Sequence, residues 1–183
     1  MIIGIPTPNN YLMPFESVKC FLNLPYKIVW ASGPYIYENR NLLLQKAKYE
    51  QDSLLMIDSD MVFTSDDVER IQGEYITSGL YVIGTEPHLP CVFGKVEGDY
   101  NVIAPPKDKG IVGAVGGGFL FIPKDIVMKL PDNAFNDVWE GKVKHGEDIS
   151  FCHKAKELGF DIYLDPSIKL GHLRFKELYP QME

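Results

Sequence analysis

The sequence predicts an α/β protein with a mostly parallel central sheet flanked by helices and a small antiparallel second sheet. In the first 84 residues, short apolar segments alternate with segments of helical spacing, and the connections between them are short. After Glu86 the pattern changes to short extended segments separated by glycine-rich turns. The first pattern is typical of parallel strands joined by helices, and the second of antiparallel strands.

The parallel part is predicted to contain four strands and three helices. The strands are residues 1–5, 26–31, 54–57 and 80–84, each of them a short apolar run. The helices are residues 15–22, residues 38–51 and a third helix that begins at Ser65 and ends before Gly79. We expect Ser65 to be the N-cap of the third helix, because its hydroxyl can accept a hydrogen bond from a backbone N–H group.

The second part is predicted to contain a hairpin, a glycine-rich turn and a last helix. The hairpin joins residues 91–96 to residues 100–103 through Glu97-Gly98-Asp99. Residues 113–115 and 119–122 surround Gly116-Gly117-Gly118, and a short helix runs from Pro123 to Leu130. A loop over residues 132–144 is followed by a helix over 147–158 and by strands over 160–164 and 168–170.

The bulk properties indicate a single domain with a hydrophobic core. The chain has 183 residues, of which 45% are hydrophobic and 23% are charged. Its net charge of −7 disfavours electrostatic binding to nucleic acid or to anionic lipid. The three cysteines form no Cys-x-x-Cys motif, which fits a reducing compartment. With no signal-peptide pattern and no apolar run near the roughly 20 residues needed to span a bilayer, we expect a cytoplasmic protein.

Asp58 and Asp60 stand directly after the predicted strand of residues 54–57. Residues two apart in extended chain point the same way, so the two carboxylates repel unless a cation or a proton neutralises them. Mg²⁺ and Mn²⁺ prefer carboxylate oxygens and keep positions open for water or phosphate. The pattern therefore indicates a metal and phosphate site at the carboxyl edge of the sheet, with an acidic turn as the alternative.

Other candidate residues follow the first two strands or begin a helix. Pro6 and Thr7 follow the first strand and Ser32 follows the second, where ligands bind in open α/β sheets. Ordinary turn chemistry is the alternative for these three residues. Arg40 lies near the start of a helix, where it suits an anion such as a nucleotide phosphate, and an exposed salt bridge to Glu38 is the alternative.

Three further features of the second part could carry chemistry. Gly116, Gly117 and Gly118 allow close approach of the backbone to a ligand, or form a flexible bulge. Glu147 and Asp148 open the last helix, where they complement the helix dipole or act as a general base. His172 follows the last strand and could complete a metal site with the two aspartates.

In their order along the chain, these motifs resemble those of the GT-A fold glycosyltransferases, especially the family 2-like branch. Residues 55–63 resemble the metal-binding Asp-x-Asp motif, and residues 39–41 the Arg-Asn start of the preceding helix. Residues 116–121 are similar to the glycine-rich segment beside the donor sugar and acceptor. Residues 145–151 resemble the Glu-Asp motif that holds the catalytic base, and Gly171-His172 the C-terminal metal ligand. The resemblance covers residue 2 to about residue 172.

The resemblance implies a metal-dependent glycosyltransferase. The expected donor is a nucleotide-diphospho-sugar, with a UDP-hexose first, and the acceptor is a hydroxyl of a glycan, glycoprotein or lipid. Mn²⁺ or Mg²⁺ would be held by Asp60, His172 and Asp58, the last directly or through water. Asp148 would be the catalytic base, with Glu147 holding the sugar or acceptor.

The resemblance also implies the remaining donor and acceptor contacts. Those expected on the donor nucleotide are Pro6, Thr7, Ser32, Arg40, Asp58, Ser59 and Asp60, and those expected on the sugar or acceptor are Gly117 and Gly118. Residues 1–104 would form the nucleotide-sugar and metal half of one domain, residues 105–172 the acceptor and catalytic half, and residues 173–183 a tail. Because the chain is short for the family, a module of a larger multi-domain transferase is also an expectation.

Two alternative functions remain open from the sequence. A sugar-phosphate nucleotidyltransferase would share the sheet and the metal, but it usually has a glycine-rich, arginine-containing loop after the first strand. Residues 5–10 contain no such loop. A non-catalytic module that binds a nucleotide sugar is the other alternative, against which Asp58, Asp60, Asp148 and His172 argue by all being present.

Overall fold

The computed structural model describes residues 1–8, 13–22, 24–83, 87–96, 99–140 and 143–173. In chain order, the elements over these residues are β1 (Ile2–Pro8), α1 (Phe15–Phe21), β2 (Lys27–Gly33), α2 (Ile36–Glu50), β3 (Leu54–Ile57), β4 (Met61–Val62), α3 (Ser65–Arg70), β5 (Ile76–Leu80), β6 (Val92–Val96), β7 (Asp99–Val102), β8 (Gly110–Val112), β9 (Ala114–Val115), β10 (Phe119–Ile122), α4 (Lys124–Val127), β11 (Val138–Glu140), β12 (Val143–His145), α5 (Glu147–Glu157), β13 (Ile162–Lys169) and β14 (Gly171–His172). In the part of the chain covered by these ranges, every helix is too short or too polar to cross a bilayer.

The central sheet has seven strands in the order β2-β1-β3-β10-β5-β13-β8. β1 runs parallel to β2 and β3, and β5 runs parallel to β13. β10 is antiparallel to both of its neighbours, and β8 is antiparallel to β13. A separate antiparallel sheet has the order β7-β6-β9. The predicted fold class, a mostly parallel sheet flanked by helices with a small antiparallel second sheet, is confirmed.

Helices or loops cover the central strands on both faces, so these strands are apolar along their whole length. All four residues of β3 and all four of β10 are buried. Leu54 and Met56 pack in one cluster with residues of α2 and α5, while Leu55 and Ile57 pack in the cluster on the opposite face. This alternation follows from the period of two along a strand, and it leaves the carboxyl end of β3 at the edge of the sheet.

The helix predicted over residues 38–51 is confirmed as α2, with buried Leu43, Leu44 and Ala47 on its inner face. It ends at Gln51, which adopts the left-handed conformation with φ of 52°. The helix predicted over residues 15–22 is confirmed as α1, and the helix over 147–158 as α5. Gly159, with φ of 86°, follows α5 as expected from its position.

The third helix is present as α3, but its predicted cap and end, and the bounds of the strand after it, were wrong. Thr64, not Ser65, is the N-cap of α3, because its side chain accepts from the Asp67 N–H in a capping box. The helix stops at Arg70, and Gly79 lies inside β5. Gly79 is required there by packing, since a Cβ would lie 2.7 Å from the Leu170 side chain. The strand predicted over residues 80–84 is thus displaced to Ile76–Leu80, and Gly84 lies outside the described residues.

The second part of the chain contains more strands than predicted. The hairpin of β6 and β7 is confirmed, although residues 97 and 98 of its turn lie outside the described residues. The loop predicted over residues 132–144 contains the antiparallel pair β11 and β12, so that prediction was partly wrong. The two strands predicted after α5 form the single strand β13, with an irregularity between Asp165 and Lys169. The predicted tail, residues 174–183, lies outside the described residues.

Candidate functional site

A short ribbon of β4 and β14 brings His172 beside the Asp-x-Asp segment. In the antiparallel register, His172 pairs with Met61, and the Leu173 N–H donates to the Asp60 carbonyl at 2.8 Å. The His172 Nδ1 lies 2.8 Å from the Val82 carbonyl oxygen, which can only accept a hydrogen bond. Nδ1 therefore carries the proton, and Nε2 points at Asp60 Oδ2 from 3.5 Å. With a neutral imidazole, the lone pair of Nε2 faces a carboxylate oxygen and the two repel each other. A proton or a cation between them would remove this repulsion.

Arg40 is buried at the centre of the site, with 4% of its side chain exposed. Its Nη2 donates to both oxygens of Asp58, at 2.9 and 3.2 Å, and its Nε donates to Glu147 Oε1 at 3.2 Å. Its Nη1 donates to the Gly117 carbonyl at 2.7 Å. Burial alone would lower the Arg40 pKa, but the nearby acids Asp58, Glu147 and Asp148 raise it, so the group stays charged. The alternative of an exposed salt bridge to Glu38 was wrong.

Gly116, Gly117 and Gly118 leave room for side chains of the protein itself. A Cβ on Gly117 would lie 2.5 Å from Arg40 Nη1, and a Cβ on Gly118 would lie 3.0 Å from the Tyr81 hydroxyl. The Gly118 N–H donates to the Tyr81 hydroxyl at 2.9 Å, while its carbonyl accepts from the Asp58 N–H at 2.9 Å. The glycines therefore hold Asp58, Arg40 and Tyr81 in fixed relation.

Glu147 and Asp148 begin α5 and lie on the same cleft. Asp148 Oδ1 accepts a hydrogen bond from the Ile149 N–H at 2.8 Å. Burial, reinforced by the neighbouring Glu147, raises the pKa of Asp148 to about 6, against the opposing effect of Arg40. Burial also raises the pKa of Asp58, in spite of its ion pair with Arg40. Asp148 is consequently a stronger base than an ordinary aspartate and is still mostly ionised at neutral pH.

These groups line a cleft of about 280 Å³ beyond the carboxyl ends of the strands. It collects eight of the residues singled out from the sequence, namely Arg40, Asp58, Asp60, Gly117, Gly118, Glu147, Asp148 and His172. Sequence reasoning missed four lining residues, which are Ile36, Tyr81, Ile83 and Cys91. Tyr81 follows β5 directly, so a correct placement of that strand would have found it. Burial raises the pKa of the Cys91 thiol to about 11, so this cysteine is not a thiolate nucleophile.

The cleft does not include Pro6, Thr7, Ser32 or Ser59 among its lining residues. Thr7 and Ser32 are paired across β1 and β2, and Thr7 is buried while Ser32 is exposed. The Asn39 side chain ties these strand ends together by donating to the carbonyls of Thr7, at 2.8 Å, and Gly33, at 3.3 Å. Ser59 is buried between the two aspartates.

The fit of these residues to a divalent cation rests on Asp60 and His172. Over the described residues, no group of three or more histidine, cysteine or acidic side chains converges on one point. The pair of Asp60 Oδ2 and His172 Nε2 supplies one hard oxygen ligand and one imidazole nitrogen, with its tautomer set by Val82. Asp58 is engaged by Arg40, although each carboxylate oxygen keeps a further lone pair. These two side chains would leave most coordination positions of a divalent cation open.

Comparison with known proteins gives structural but not sequence matches. No protein-family model matches the chain, and no curated protein sequence matches it. The structure is similar to that of A197 from STIV, with a TM-score of 0.70 and 21% sequence identity over 95% of this chain and 85% of that one. It is also similar to GalNAc-T7, crystallised with UDP, GalNAc and Mn²⁺, with a TM-score of 0.54 and 16% identity. The fold is thus similar to that of a GT-A glycosyltransferase. This second match covers 85% of the chain but 34% of GalNAc-T7, so the chain spans about a third of that protein.

Proposed function

We propose that the protein is a metal-dependent glycosyltransferase that moves a sugar from a nucleotide-diphospho-sugar to an acceptor hydroxyl. One observation carries this proposal above the others. In a GT-A fold, the Asp60 and His172 pair and the Glu147 and Asp148 pair line one cleft, although Asp60 lies in the first half of the chain and the other three residues in the second. Transfer of a sugar from a diphosphate to a hydroxyl requires a cation at the diphosphate and a basic carboxylate at the hydroxyl, and these two pairs could provide both.

Asp60 and His172 would hold Mn²⁺ or Mg²⁺, with Asp58 contributing directly or through water. The cation, when bound, supplies neutralisation of the donor diphosphate. Arg40 donates to Asp58 through Nη2 and to Glu147 through Nε, so it joins the two walls of the cleft. The N–H groups of Arg40 are already used by protein acceptors, and its direct contact with the donor remains a prediction.

Asp148 is proposed as the base for the acceptor. Its carboxylate takes the proton of the acceptor hydroxyl while the acceptor oxygen bonds to the anomeric carbon of the donor sugar. The bond from that carbon to the phosphate oxygen breaks, and the electron pair leaves with the nucleoside diphosphate. A pKa of about 6 makes Asp148 a suitable acceptor of this proton. A base in this role predicts inversion at the anomeric carbon.

The donor nucleotide is proposed to extend from the cleft toward the carboxyl ends of β1 and β2. Pro6, Thr7 and Ser32 lie at those ends, and Ile36 at the start of α2 lines the cleft on that side. Gly117 and Gly118 would lie beside the sugar, since both line the cleft next to Tyr81. A UDP-sugar is the first donor to test, because the similar GalNAc-T7 structure contains UDP and Mn²⁺.

The experiment is a panel of nucleotide sugars incubated with the protein and Mn²⁺, with nucleoside diphosphate release as the readout. Thermal shifts measured in parallel report binding, because a ligand that binds the folded state alone raises the melting temperature. Binding without release, over a broad set of saccharide acceptors, would indicate a non-catalytic module. Release of pyrophosphate from a nucleoside triphosphate and a sugar phosphate would indicate a nucleotidyltransferase. No binding of any nucleotide sugar would overturn the proposal.

A further inference from the structure

Tyr81 and Val82, the two residues that follow β5, contact the imidazole of His172 from two directions. The Val82 carbonyl oxygen lies 2.8 Å from His172 Nδ1 and accepts its hydrogen bond. The Tyr81 ring meets the His172 ring edge to face, with 5.6 Å between the ring centroids and 88° between the ring planes. This is a favoured geometry for two aromatic rings. The hydrogen bond sets the tautomer of the imidazole, and the ring contact limits the directions in which Nε2 can point.

The hydroxyl of Tyr81 lies in space that the glycine segment leaves for it. A Cβ on Gly116 would lie 2.2 Å from this oxygen, and a Cβ on Gly118 would lie 3.0 Å from it. The oxygen accepts from the Gly118 N–H at 2.9 Å, and the Gly118 carbonyl accepts from the Asp58 N–H at 2.9 Å. One side chain thus contacts His172 with its ring and is connected to the backbone of Asp58 through a single residue.

Packing and hydrogen bonds also fix the backbone around Tyr81. The residue is 5% exposed and belongs to the hydrophobic cluster that includes Leu170. Its carbonyl accepts from the Cys91 N–H at 2.9 Å, and Val82 forms an isolated bridge with Pro90. A side chain orients a neighbouring group most effectively when its own conformation is fixed in this way. Tyr81 therefore meets the structural requirement for a residue that positions others.

We propose that Tyr81 is a positioning residue for the cation of the cleft, an inference that rests on the proposed function. Its ring holds the imidazole of His172, and its hydroxyl holds the Gly118 backbone against Asp58. The phenol therefore places these two candidate ligands relative to each other. Residues that orient metal ligands raise the affinity for the metal, because the ligands lose less freedom when they bind it. Tyr81 acts through His172 and Gly118 and is not itself a ligand.

Calorimetric titration of Mn²⁺ in the presence of UDP measures this role on the folded protein. Tyr81→Leu removes the ring and the hydroxyl, and we expect it to weaken Mn²⁺ binding about tenfold, as loss of a residue that orients a metal ligand does. Tyr81→Phe keeps the ring and should recover most of this loss. It should bind Mn²⁺ about threefold more weakly than the unaltered protein, because the Gly118 N–H loses its acceptor.

Tyr163→Leu is the matched control, since it removes a ring that packs against Tyr75, with 4.6 Å between the centroids, and that does not line the cleft. It should bind Mn²⁺ like the unaltered protein. If Tyr81 has a structural role alone, its variants will melt at lower temperature but bind Mn²⁺ as the unaltered protein does, which would overturn the inference. If Tyr81→Leu does not fold, Tyr81→Phe decides, and an unchanged Mn²⁺ affinity in that variant overturns the inference.

A second measurement uses neither metal nor nucleotide. Long-range ¹H–¹⁵N NMR of the histidine rings at about pH 8, where an ordinary imidazole is neutral, reports the tautomer of His172. The signals are assigned by their loss in His172→Gln. We expect the tautomer with the proton on Nδ1 in the unaltered protein and in Tyr81→Phe. In Tyr81→Leu, the two ring nitrogens should shift toward the averaged values of a mixture of tautomers.

The two measurements separate this inference from the proposed function. If the unaltered protein binds neither Mn²⁺ nor a nucleotide sugar, but Tyr81→Leu alone changes the His172 signals, the proposed function fails and Tyr81 still positions His172. If Mn²⁺ and a nucleotide sugar bind, but Tyr81→Leu leaves both the His172 signals and the Mn²⁺ affinity unchanged, the proposed function stands and this inference fails.

Discussion

Arg40 and Asp58 are joined by two hydrogen bonds, from Nη2 to Oδ1 at 2.9 Å and to Oδ2 at 3.2 Å, at the edge of the central sheet. The same guanidinium donates to Glu147, which lies 107 residues further along the chain. Removal of this buried charge should lower the free energy of unfolding strongly, because it leaves two acids without a counter-charge. The two sides of the cleft are therefore joined by Arg40, for which the sequence indicated a bound anion or a salt bridge to Glu38.

The first prediction concerns the removal of this guanidinium. Arg40→Met should destabilise the fold by roughly 3–5 kcal/mol, since Asp58 and Glu147 lose their cation. Arg70→Met is the matched control, because Arg70 is 41% exposed and its pair with Asp66 spans 3.6 Å. Its cost should not exceed about 1 kcal/mol. Urea unfolding measures both, and equal costs for the two variants would show that the Arg40 network contributes no special stability.

The second prediction concerns the close approach of Gly117 to Arg40. Gly117→Ala should cost about 1–3 kcal/mol, because the added methyl overlaps Arg40 Nη1 and Cζ and displaces the guanidinium. Gly73→Ala is the control, since a Cβ there meets nothing within 4 Å, and it should change stability by less than about 0.5 kcal/mol. In the Arg40→Met background, the cost of Gly117→Ala should fall, which a double-mutant cycle would measure.

The third prediction is a dependence of stability on pH through Asp148. Its pKa of about 6 in the folded protein lies above the value of about 3.9 in an unfolded chain. The folded state therefore holds this proton more tightly, and the stability that the protonated carboxyl contributes is present at low pH and lost as the pH rises through about 6. Asp148→Asn should be more stable than the unaltered protein at pH 8, by roughly 1–3 kcal/mol, and should lose this advantage near pH 4.

Thermal unfolding at several pH values, with Asp161→Asn as an exposed control, measures this difference. A constant difference between Asp148→Asn and the unaltered protein from pH 4 to pH 8 would contradict the raised pKa. In the transfer assay, the same variant should bind donor and lose transfer, and the rate of the unaltered protein should fall as the pH drops below about 6. Normal transfer by Asp148→Asn would show that another group is the base.

The fourth prediction concerns Asp60 and His172, the proposed ligands of the cation. Mn²⁺ in the presence of UDP should raise the melting temperature of the unaltered protein, and a chelator should reverse the rise. Asp60→Asn and His172→Gln should abolish the metal-dependent part of this shift, while Asp66→Asn, an acid that is 74% exposed on α3, should keep it. A full shift in Asp60→Asn would place the cation elsewhere.

The fifth prediction tests the corrected start of α3. Thr64→Ala should cost about 1 kcal/mol, because it removes the side chain that accepts from the Asp67 N–H. Ser65→Ala should be nearly neutral, since Ser65 is an exposed first residue of the helix and alanine is a good helix former. The reverse order of the two costs in urea unfolding would restore Ser65 as the cap.

The local pattern was sufficient for several elements that the structure contains. The apolar run of residues 54–57 predicted a buried strand because all four side chains are covered on one face or the other. The spacing of Leu43, Leu44 and Ala47 predicted the inner face of α2 because that face packs on the sheet. Asp58 and Asp60 were found because carboxylates directly after a buried strand end at the edge of the sheet.

Placement in the sheet and pairing across the site were decided by tertiary structure. The apolar run Phe119–Ile122 predicts a buried strand, but such a run does not show whether the strand is parallel or antiparallel to its neighbours. The antiparallel position of this strand between β3 and β5 was therefore not predictable. Gly79 was interpreted as a helix end, because a glycine that ends a helix and a glycine that makes room for Leu170 cannot be told apart in the sequence. The partners of Arg40 were not predictable from the sequence, because they come from residues 58, 117 and 147.

By itself, the sequence determined that residues 54–57 form a buried strand, that α2 and α5 are helices and which polar groups stand at strand ends, since these depend on neighbours a few residues away. The tertiary structure alone decided that Arg40 lies between Asp58 and Glu147, and that Tyr81 supports the glycines. It also decided that His172 reaches Asp60 through the register of β14 on β4. Such contacts join residues up to about a hundred positions apart, and they exist only once the whole sheet has closed.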